Sequence, residues 1–325
     1  MRLVDIQGLT VSFAQDGADV QAVRGINLHL DPGESLGIVG ESGSGKSVTC
    51  MALLRLLREP PARITADKLE LAGVDVLRAE RRALAQLRGK VAAMIFQDPM
   101  TAFDPVFSIG HQIAETIQAH RAVPRAEALA EAQVLLARVE IKNPKAILAA
   151  YPHQLSGGML QRAMIAMALS CRPQVLLADE PTTALDVTIQ AQILQLIKQL
   201  QAEFAMGLIM VTHDLGVIAE TVDRVVVMYG GKIMEQSPVQ DLFDAPRNPY
   251  TQALLHSMPG QAGRQRLTEI KGASPDPANP PRGCPFHPRC TWAIPACSGV
   301  EPPLALVAAE HAIACPVDPL VGVSA

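Results

Sequence analysis

The stretch that decides the fold is Gly40-Glu41-Ser42-Gly43-Ser44-Gly45-Lys46-Ser47, which fits the phosphate-loop pattern G-x-x-x-x-G-K-[ST]. The apolar run Leu36-Gly37-Ile38-Val39 precedes it and predicts a buried strand. Val48 to Leu57 predicts a helix that ends before Pro60-Pro61. A flexible Gly/Ser linker is the alternative, but a linker would need neither the strand nor the helix. The context therefore favours a loop that binds phosphate through backbone N–H groups and a helix N-terminus.

Different residues of this loop are expected to bind different parts of a nucleotide. The side chain of Lys46 is expected to reach the β- and γ-phosphates, and the hydroxyl of Ser47 is expected to ligate Mg²⁺. Glycines let the backbone approach the phosphate oxygens closely. The predicted nucleotide-contacting positions of the loop are Gly40, Ser42, Gly43, Gly45, Lys46 and Ser47.

The run Val175-Leu176-Leu177-Ala178-Asp179-Glu180 predicts a buried strand that ends in two carboxylates. A carboxylate at the end of such a strand can hold Mg²⁺, and Asp179 fits this role. Glu180 can polarise an attacking water. The alternative is a strand that runs into an acidic turn, but its pairing with the phosphate loop favours the nucleotide site.

The stretch Leu155-Ser156-Gly157-Gly158-Met159 precedes a helical run, Leu160 to Ser170. Ser156 suits a helix cap, and Gly157 and Gly158 allow an anion to approach the backbone. A simple helix cap is the alternative. One nucleotide does not need two phosphate-binding helix N-termini, so we expect this one to serve a nucleotide held by a second chain.

Composition excludes several classes of protein. The net charge is −4 and aromatic residues make up 3%, which argues against nucleic-acid binding. The N-terminus lacks the apolar core of a signal peptide. No apolar run approaches the about 18 residues of a membrane span. We therefore expect a soluble, cytoplasmic protein that reaches any membrane through a partner.

Apolar runs that alternate with helical segments predict an α/β fold with a mainly parallel sheet and helices on both faces. The first thirty residues predict short antiparallel strands, with turns at Asp16-Gly17 and Asp31-Pro32-Gly33. A helical insertion is expected at about 98–165, and the division into domains at 1–235 and 236–325. The predicted buried strands are Leu36–Val39, Val91–Phe96, Val175–Ala178, Leu208–Thr212 and Val225–Met228.

Five motifs occur in the order of the ATP-binding cassette (ABC) family, and the chain resembles the ATPase subunit of an ABC transporter. The resemblance implies a P-loop NTPase (RecA-like) core, an N-terminal antiparallel β-subdomain, an inserted α-helical subdomain and a small Cys/Pro-rich C-terminal extension. The motifs are Gly40–Ser47, Leu155–Met159, Val175–Glu180, Ala184-Leu185-Asp186 and Val211-Thr212-His213-Asp214.

The same resemblance implies roles for four further residues. Phe13 would stack on adenine, and Gln97 would sense Mg²⁺ and the attacking water. Asp186 would belong to a loop that spans the dimer, and His213 would contact the γ-phosphate and position the water with Glu180. The expected catalytic residues are Glu180, His213, Gln97 and Lys46. The expected Mg²⁺ ligands are Ser47, Gln97 and Asp179.

Four of the six cysteines cluster near the C-terminus: Cys284, Cys290, Cys297 and Cys315. No C-x-x-C pair is present, so a zinc ribbon is not favoured. Four thiols in a proline-rich segment suggest a metal that stabilises it. Together with Arg247–Leu255, they resemble the extension of the peptide/nickel importer ATPases, of the dipeptide and oligopeptide permease type. That resemblance implies a [4Fe–4S] cluster; zinc and free thiols remain open.

These features lead to the hypothesis of an ATPase subunit that energises an importer for di- or oligopeptides. The expected partners are a second homologous ATPase in a heterodimer, two transmembrane permease subunits and an extracytoplasmic solute-binding protein. They would place the chain at the cytoplasmic face of the inner membrane. The alternatives are an importer for nickel, haem or glutathione, a soluble ABC protein without a transport role, and a small-molecule kinase, which would leave Leu155–Met159 unexplained.

Overall fold

The protein is described from a computed structural model, in which residues 1–15, 18–183, 185–257 and 270–323 are placed. The strands are β1 (Val4–Gln15), β2 (Ala18–Leu30), β3 (Ser35–Val39), β4 (Ala62–Thr65), β5 (Lys68–Leu71), β6 (Val74–Asp75), β7 (Ala92–Ile95), β8 (Val175–Asp179), β9 (Gly207–Thr212), β10 (Arg224–Tyr229), β11 (Lys232–Pro238), β12 (Ala305–Ala308), β13 (His311–Ile313), β14 (Val317–Asp318) and β15 (Gly322–Val323).

The α-helices are α1 (Lys46–Leu53), α2 (Arg81–Leu87), α3 (Pro99–Ala102), α4 (Ile109–His120), α5 (Arg125–Arg138), α6 (Pro144–Ala149), α7 (Gly157–Leu169), α8 (Val187–Phe204), α9 (Leu215–Thr221), α10 (Val239–Asp244) and α11 (Pro249–His256). Within the placed ranges, none of these helices combines the length and the apolar character that a membrane crossing requires.

The chain folds into two compact units, and β9 begins in the first and ends in the second. The first consists of Met1–Leu3, Leu30–Glu34 and Leu71–Ile209; the second consists of Val4–His29, Ser35–Glu70 and Met210–Ala325. These units do not follow the division into 1–235 and 236–325 that the sequence suggests, and that division stays a prediction.

The first unit contains the parallel strands β7 and β8, in register from Ala92 opposite Val175 to Ile95 opposite Ala178. Every residue of both strands is buried, as expected for parallel strands. The stretch expected as a helical insertion, about 98–165, contains α3 to α6 and most of α7. The amphipathic spacing of α4 and α5 places Ile113, Ile117 and Leu136 in the core.

The second unit contains an antiparallel group, in which β1 lies between β2 and β5 and also pairs with β4. It also contains a mixed sheet in the order β12-β13-β11-β10-β3. Within this sheet β3 runs parallel to β10, whereas β10 with β11, β11 with β13 and β13 with β12 run antiparallel. The C-terminal extension therefore continues the sheet that carries the phosphate loop.

The local structure differs from the sequence-based expectation at two places. The helix predicted from Val48 to Leu57 ends at Leu53, because Arg55 has a left-handed backbone (φ 52°) that a helix cannot continue through. The extension, in which we expected little regular structure, supplies β12 to β15. The turn predicted at Asp16-Gly17 lies outside the described residues.

Two buried polar pairs tie the extension to β11 and the segment that follows it. The carboxylate of Glu235 lies 2.6 Å from Nε2 of His311 and accepts the backbone N–H of Arg247 at 2.8 Å. The side chains of Glu235 and His311 are 0% and 3% exposed. The guanidinium of Arg247 in turn donates to Asp318 at 2.7 Å. These contacts fix β13 and β14 onto the sheet.

We predict that Glu235→Ala lowers the free energy of unfolding by about 3 kcal/mol, because it leaves His311 and a backbone N–H buried without an acceptor. Chemical denaturation of the purified chain measures this loss. The control is Glu203→Ala, which removes an exposed ion pair with Arg138. It should cost only about 0.5 kcal/mol. Equal losses in the two variants would contradict the assignment of Glu235 as an anchor.

Candidate nucleotide site

The phosphate loop is shaped by close backbone contacts. Buried β3 leads into Gly40 (φ 150°), and Gly43 and Gly45 follow at φ 78° and 100°. A Cβ atom on Gly45 would lie 2.5 Å from the carbonyl oxygen of Ala22, and one on Gly40 would overlap the carbonyl oxygen of Met228. Neither contact admits a side chain, so only glycine fits at these two positions.

Lys46 is the first residue of α1 and is 6% exposed. Its Nζ donates to the carbonyl oxygens of Gly40 at 2.8 Å and Glu41 at 2.9 Å, so its charge is held inside the loop. The first turn of α1, all of it described, contains no acidic residue. The helix N-terminus and the ammonium group together make the loop attractive for an anion.

The first unit brings together two of the predicted catalytic residues. Glu180 follows β8 directly, in a left-handed backbone conformation (φ 45°). Its Oε2 accepts hydrogen bonds from Nε2 of Gln97 at 2.9 Å and from Oγ1 of Thr183 at 2.8 Å. Asp179, the last residue of β8, is 3% exposed. Asp179 therefore lies in the strand and Glu180 in the turn that follows it, and their different roles stay predictions.

The N-terminus of α7 has the features of an anion site. Ser156 occupies the N-cap position with an extended backbone, but its side chain makes no capping hydrogen bond within the described residues, and both Ser156 and Gly157 are exposed. Gly158 packs closely on α8, because a Cβ there would lie 3.0 Å from Cγ2 of Ile189. Asp186 caps α8 by accepting the N–H of Ile189 at 3.0 Å. Ala184, in the motif that precedes α8, lies outside the described residues.

The two remaining residues predicted to contact the nucleotide are Phe13 and His213. Phe13 is half-buried on β1, opposite Ala62 on β4. His213 is exposed directly after β9. The predicted Mg²⁺ ligands belong to different units, Ser47 to the second and Gln97 and Asp179 to the first. Their hydroxyl, amide and carboxylate oxygens suit a hard cation. Their joint role stays a prediction.

The four C-terminal cysteines lie within electrostatic reach of one another. Burial, with smaller contributions from the nearby thiols of Cys297 and Cys290, raises the pKa of Cys284 to about 11. Burial likewise raises the pKa of Cys315 to about 12, with smaller contributions from the other three thiols. Among the described residues, however, no three His, Cys, Asp or Glu side chains are arranged to hold a metal ion. The geometry thus does not support the predicted iron–sulfur or zinc site.

Residues that the sequence did not single out surround the loop. The backbone N–H of Glu41 donates to the phenolic oxygen of Tyr250 at 3.0 Å, and its carboxylate accepts from Arg289 at 2.7 Å. Both partners lie beyond residue 235, where the sequence drew attention to cysteines. The only available signal was the inclusion of Tyr250 in the Arg247–Leu255 stretch.

Comparison with known proteins agrees with this arrangement. The family profile "ABC transporter" matches residues 23–183, and the profile "Oligopeptide/dipeptide transporter, C-terminal region" matches residues 234–297. A probable peptide ABC transporter ATP-binding protein, y4tR of Sinorhizobium fredii, is 50% identical, with 96% of this chain and 94% of the relative covered. The dipeptide transport ATP-binding protein DppD of Haemophilus influenzae is 47% identical, with 94% and 92% covered.

A solved structure of MJ0796, described as a dimeric bacterial ABC transporter cassette, superposes with a TM-score of 0.65 at 26% identity. The superposition covers 73% of this chain and 98% of that chain. It confirms the predicted P-loop NTPase cassette fold, while the form of the C-terminal extension lies outside that comparison. Sequence and structure together show that the chain belongs to the ABC transporter family, as one of its ATP-binding subunits.

Proposed function

We propose that this protein binds and hydrolyses ATP to energise a membrane importer, and that the imported solute is a peptide. The observation that carries the proposal is the hydrogen bond from Gln97 to Glu180 at 2.9 Å, at the end of a buried strand. This contact orients a carboxylate through one oxygen, as a general base for water requires. The phosphate loop supplies the other half of the chemistry.

In the proposed reaction, Glu180 orients a water for attack on the γ-phosphorus, in line with the bond to the β-phosphate. Lys46 and the backbone N–H groups of the loop take up the charge that develops on the phosphate oxygens. His213 holds the γ-phosphate and the water from its position after β9. Mg²⁺ would neutralise phosphate charge when bound, with Ser47, Gln97 and Asp179 as the proposed ligands.

The exposed N-terminus of α7 supports a dimer in which each chain serves the nucleotide of the other. The first turn of α7, which is fully described, contains no acidic residue that would repel an approaching phosphate. The proposed partner chain is a second, homologous ATPase in a heterodimer. Asp186 lies at the start of α8, in the loop expected to span the two chains.

Exposed apolar side chains after Gln97 support a contact with membrane subunits. Met100, Val106 and Phe107 are 47%, 67% and 44% exposed. They lie close together along the chain, and a contiguous exposed apolar patch marks a protein contact. We propose that two permease subunits bind here, that an extracytoplasmic binding protein delivers the solute, and that the chain works at the cytoplasmic face of the inner membrane.

The assignment of peptide as the solute rests on the relatives. Both compared full-length proteins carry "peptide" or "dipeptide" in their names, and the C-terminal profile is described for oligopeptide and dipeptide transporters. The similarity extends over the extension as well as the cassette.

We predict that Glu180→Gln lowers the rate of ATP hydrolysis at least about 100-fold, because the amide cannot act as a base. The affinity for Mg·ATP should stay within about twofold, since the phosphate loop is unchanged. Steady-state phosphate release and equilibrium nucleotide binding measure the two effects. The control is Glu203→Gln on the exposed surface of α8, which should leave both unchanged. Hydrolysis at the normal rate by Glu180→Gln would refute the assignment.

We retain the [4Fe–4S] cluster as a proposal for Cys284, Cys290, Cys297 and Cys315, supported by their mutual electrostatic proximity. Protein purified without oxygen should then contain iron and absorb at about 400 nm. Replacing Cys297 with Ser should abolish both signals, whereas Cys50→Ser should leave them unchanged. Stoichiometric zinc without the band would favour the zinc alternative, and metal-free protein would contradict both, leaving four free thiols of which Cys284 and Cys297 are buried.

A further inference from the structure

Glu41, the second residue of the phosphate loop, is the point at which the C-terminal extension touches the loop. Its carboxylate accepts a hydrogen bond from Nη1 of Arg289 at 2.7 Å and another from the hydroxyl of Ser274. The side chain of Arg289 is 8% exposed and that of Glu41 is 22% exposed. An ion pair this far from solvent is screened little by water or salt.

The backbone of Glu41 is engaged at both ends. Its N–H donates to the phenolic oxygen of Tyr250 at 3.0 Å, and its carbonyl oxygen accepts from Nζ of Lys46 at 2.9 Å. Burial raises the pKa of Tyr250 far above its ordinary value, so the phenol stays neutral. One residue thus connects the lysine expected to bind phosphate with the extension.

Arg289 is itself held in one orientation. It donates to the carbonyl oxygens of Lys271 at 3.0 Å and Ile270 at 3.1 Å, and to the phenolic oxygen of Tyr229 at 3.0 Å. The guanidinium carbon lies 5.7 Å from the ring centre of Tyr229. Because a guanidinium is planar and has five donors in fixed directions, this set of acceptors determines where it points.

Three aromatic side chains pack next to Glu41 and Arg289. The rings of Tyr229, Tyr250 and Phe286 pack with centroids 4.6 to 5.3 Å apart. Tyr229 and Tyr250 are 1% and 0% exposed, and Phe286 is 3% exposed. The packing joins the end of β10, α11 and the extension, and the two tyrosine hydroxyls reach Glu41 and Arg289 from this packed group.

We propose that Arg289 is a positioning residue for nucleotide binding, and that it preforms the phosphate loop by holding Glu41. This inference rests on the proposed function. Without Arg289, the carboxylate of Glu41 loses its charged donor, and the second residue of the phosphate loop is no longer tied to the extension. The carbonyl oxygen of Glu41 accepts from Nζ of Lys46, so a shift of Glu41 also moves the acceptor that holds this ammonium group.

The test measures the Kd of Mg·ATP for the full chain and its variants. Arg289→Gln and Glu41→Gln should each raise Kd about tenfold, which corresponds to about 1.4 kcal/mol. The double variant should bind no more weakly than either single variant, because both remove the same contact. Arg289→Lys keeps the charge and should recover part of the affinity.

The matched control is Glu301→Gln. Glu301 lies in the extension and forms ion pairs with Arg24 and Lys232 of the core, at a place that does not involve Glu41. Its replacement removes two ion pairs between the extension and the core and should leave Kd unchanged. Thermal melting of every variant reports loss of stability separately from loss of affinity.

Three results would overturn the inference, and they can be told apart. Variants at Arg289 and Glu41 that melt earlier but bind Mg·ATP like the unmodified chain would overturn the inference, leaving Arg289 as an anchor of the extension. An equal loss of affinity in Glu301→Gln would also overturn it, because general loosening would then explain the effect. If the unmodified chain failed to bind Mg·ATP, the proposed function would fall, and this inference with it.

Discussion

The structure depends on the close approach of backbone to backbone at the phosphate loop. Gly40 sits against the carbonyl of Met228 on β10, and Gly45 sits against the carbonyl of Ala22 on β2. No side chain fits at either place, so the loop can form only if β2, β3 and β10 hold their positions. The loop in turn sets where α1 begins and where the ammonium of Lys46 lies. Binding of an anion is therefore a property of the surrounding strands as much as of the loop residues.

The C-terminal extension belongs to this constraint, because it is built onto the same sheet. Glu235 and His311 fix β13 to β11, and β11 pairs with β10. Arg289 and Tyr250 then contact Glu41 directly. A segment that looked like an appendage in the sequence thus shares its contacts with the catalytic core. This arrangement gives a physical reason for a nucleotide site to respond to the state of the extension.

The sequence was most informative where chemistry restricts the choice of residues. Glycines at positive φ, a lysine at a helix start and a carboxylate after an apolar strand suit phosphate and water chemistry, so spacing alone pointed to Gly45, Lys46 and Glu180. The structure places the three at such positions, and their chemical roles stay predictions. Buried strands such as β3 and β8 could be found because parallel strands are apolar throughout. The strands β12 and β13 could not, because Ala305–Ala308 is mostly exposed and β13 has only three residues.

Long-range contacts set the limit of what the sequence reveals. Arg289 meets Glu41 across 248 positions of chain, and nothing in either neighbourhood predicts the other. The cysteines are a different case, because their clustering in sequence suggested a metal centre, and the described residues contain no ligand group arranged to hold a metal ion. Cysteines that are close in sequence share an environment. Binding a metal also requires that their side chains point to one place, and only the fold determines that.

The most direct test of the account is a structure of the assembled ATPase pair with a slowly hydrolysed ATP analogue. The account predicts a triphosphate contacted by Gly40–Ser47 of this chain on one side and by the serine-capped helix N-terminus of its partner on the other. It also predicts that Ser156–Gly158 of this chain contact the nucleotide of the partner. A triphosphate fully enclosed by a single chain, or bound away from the phosphate loop, would contradict it.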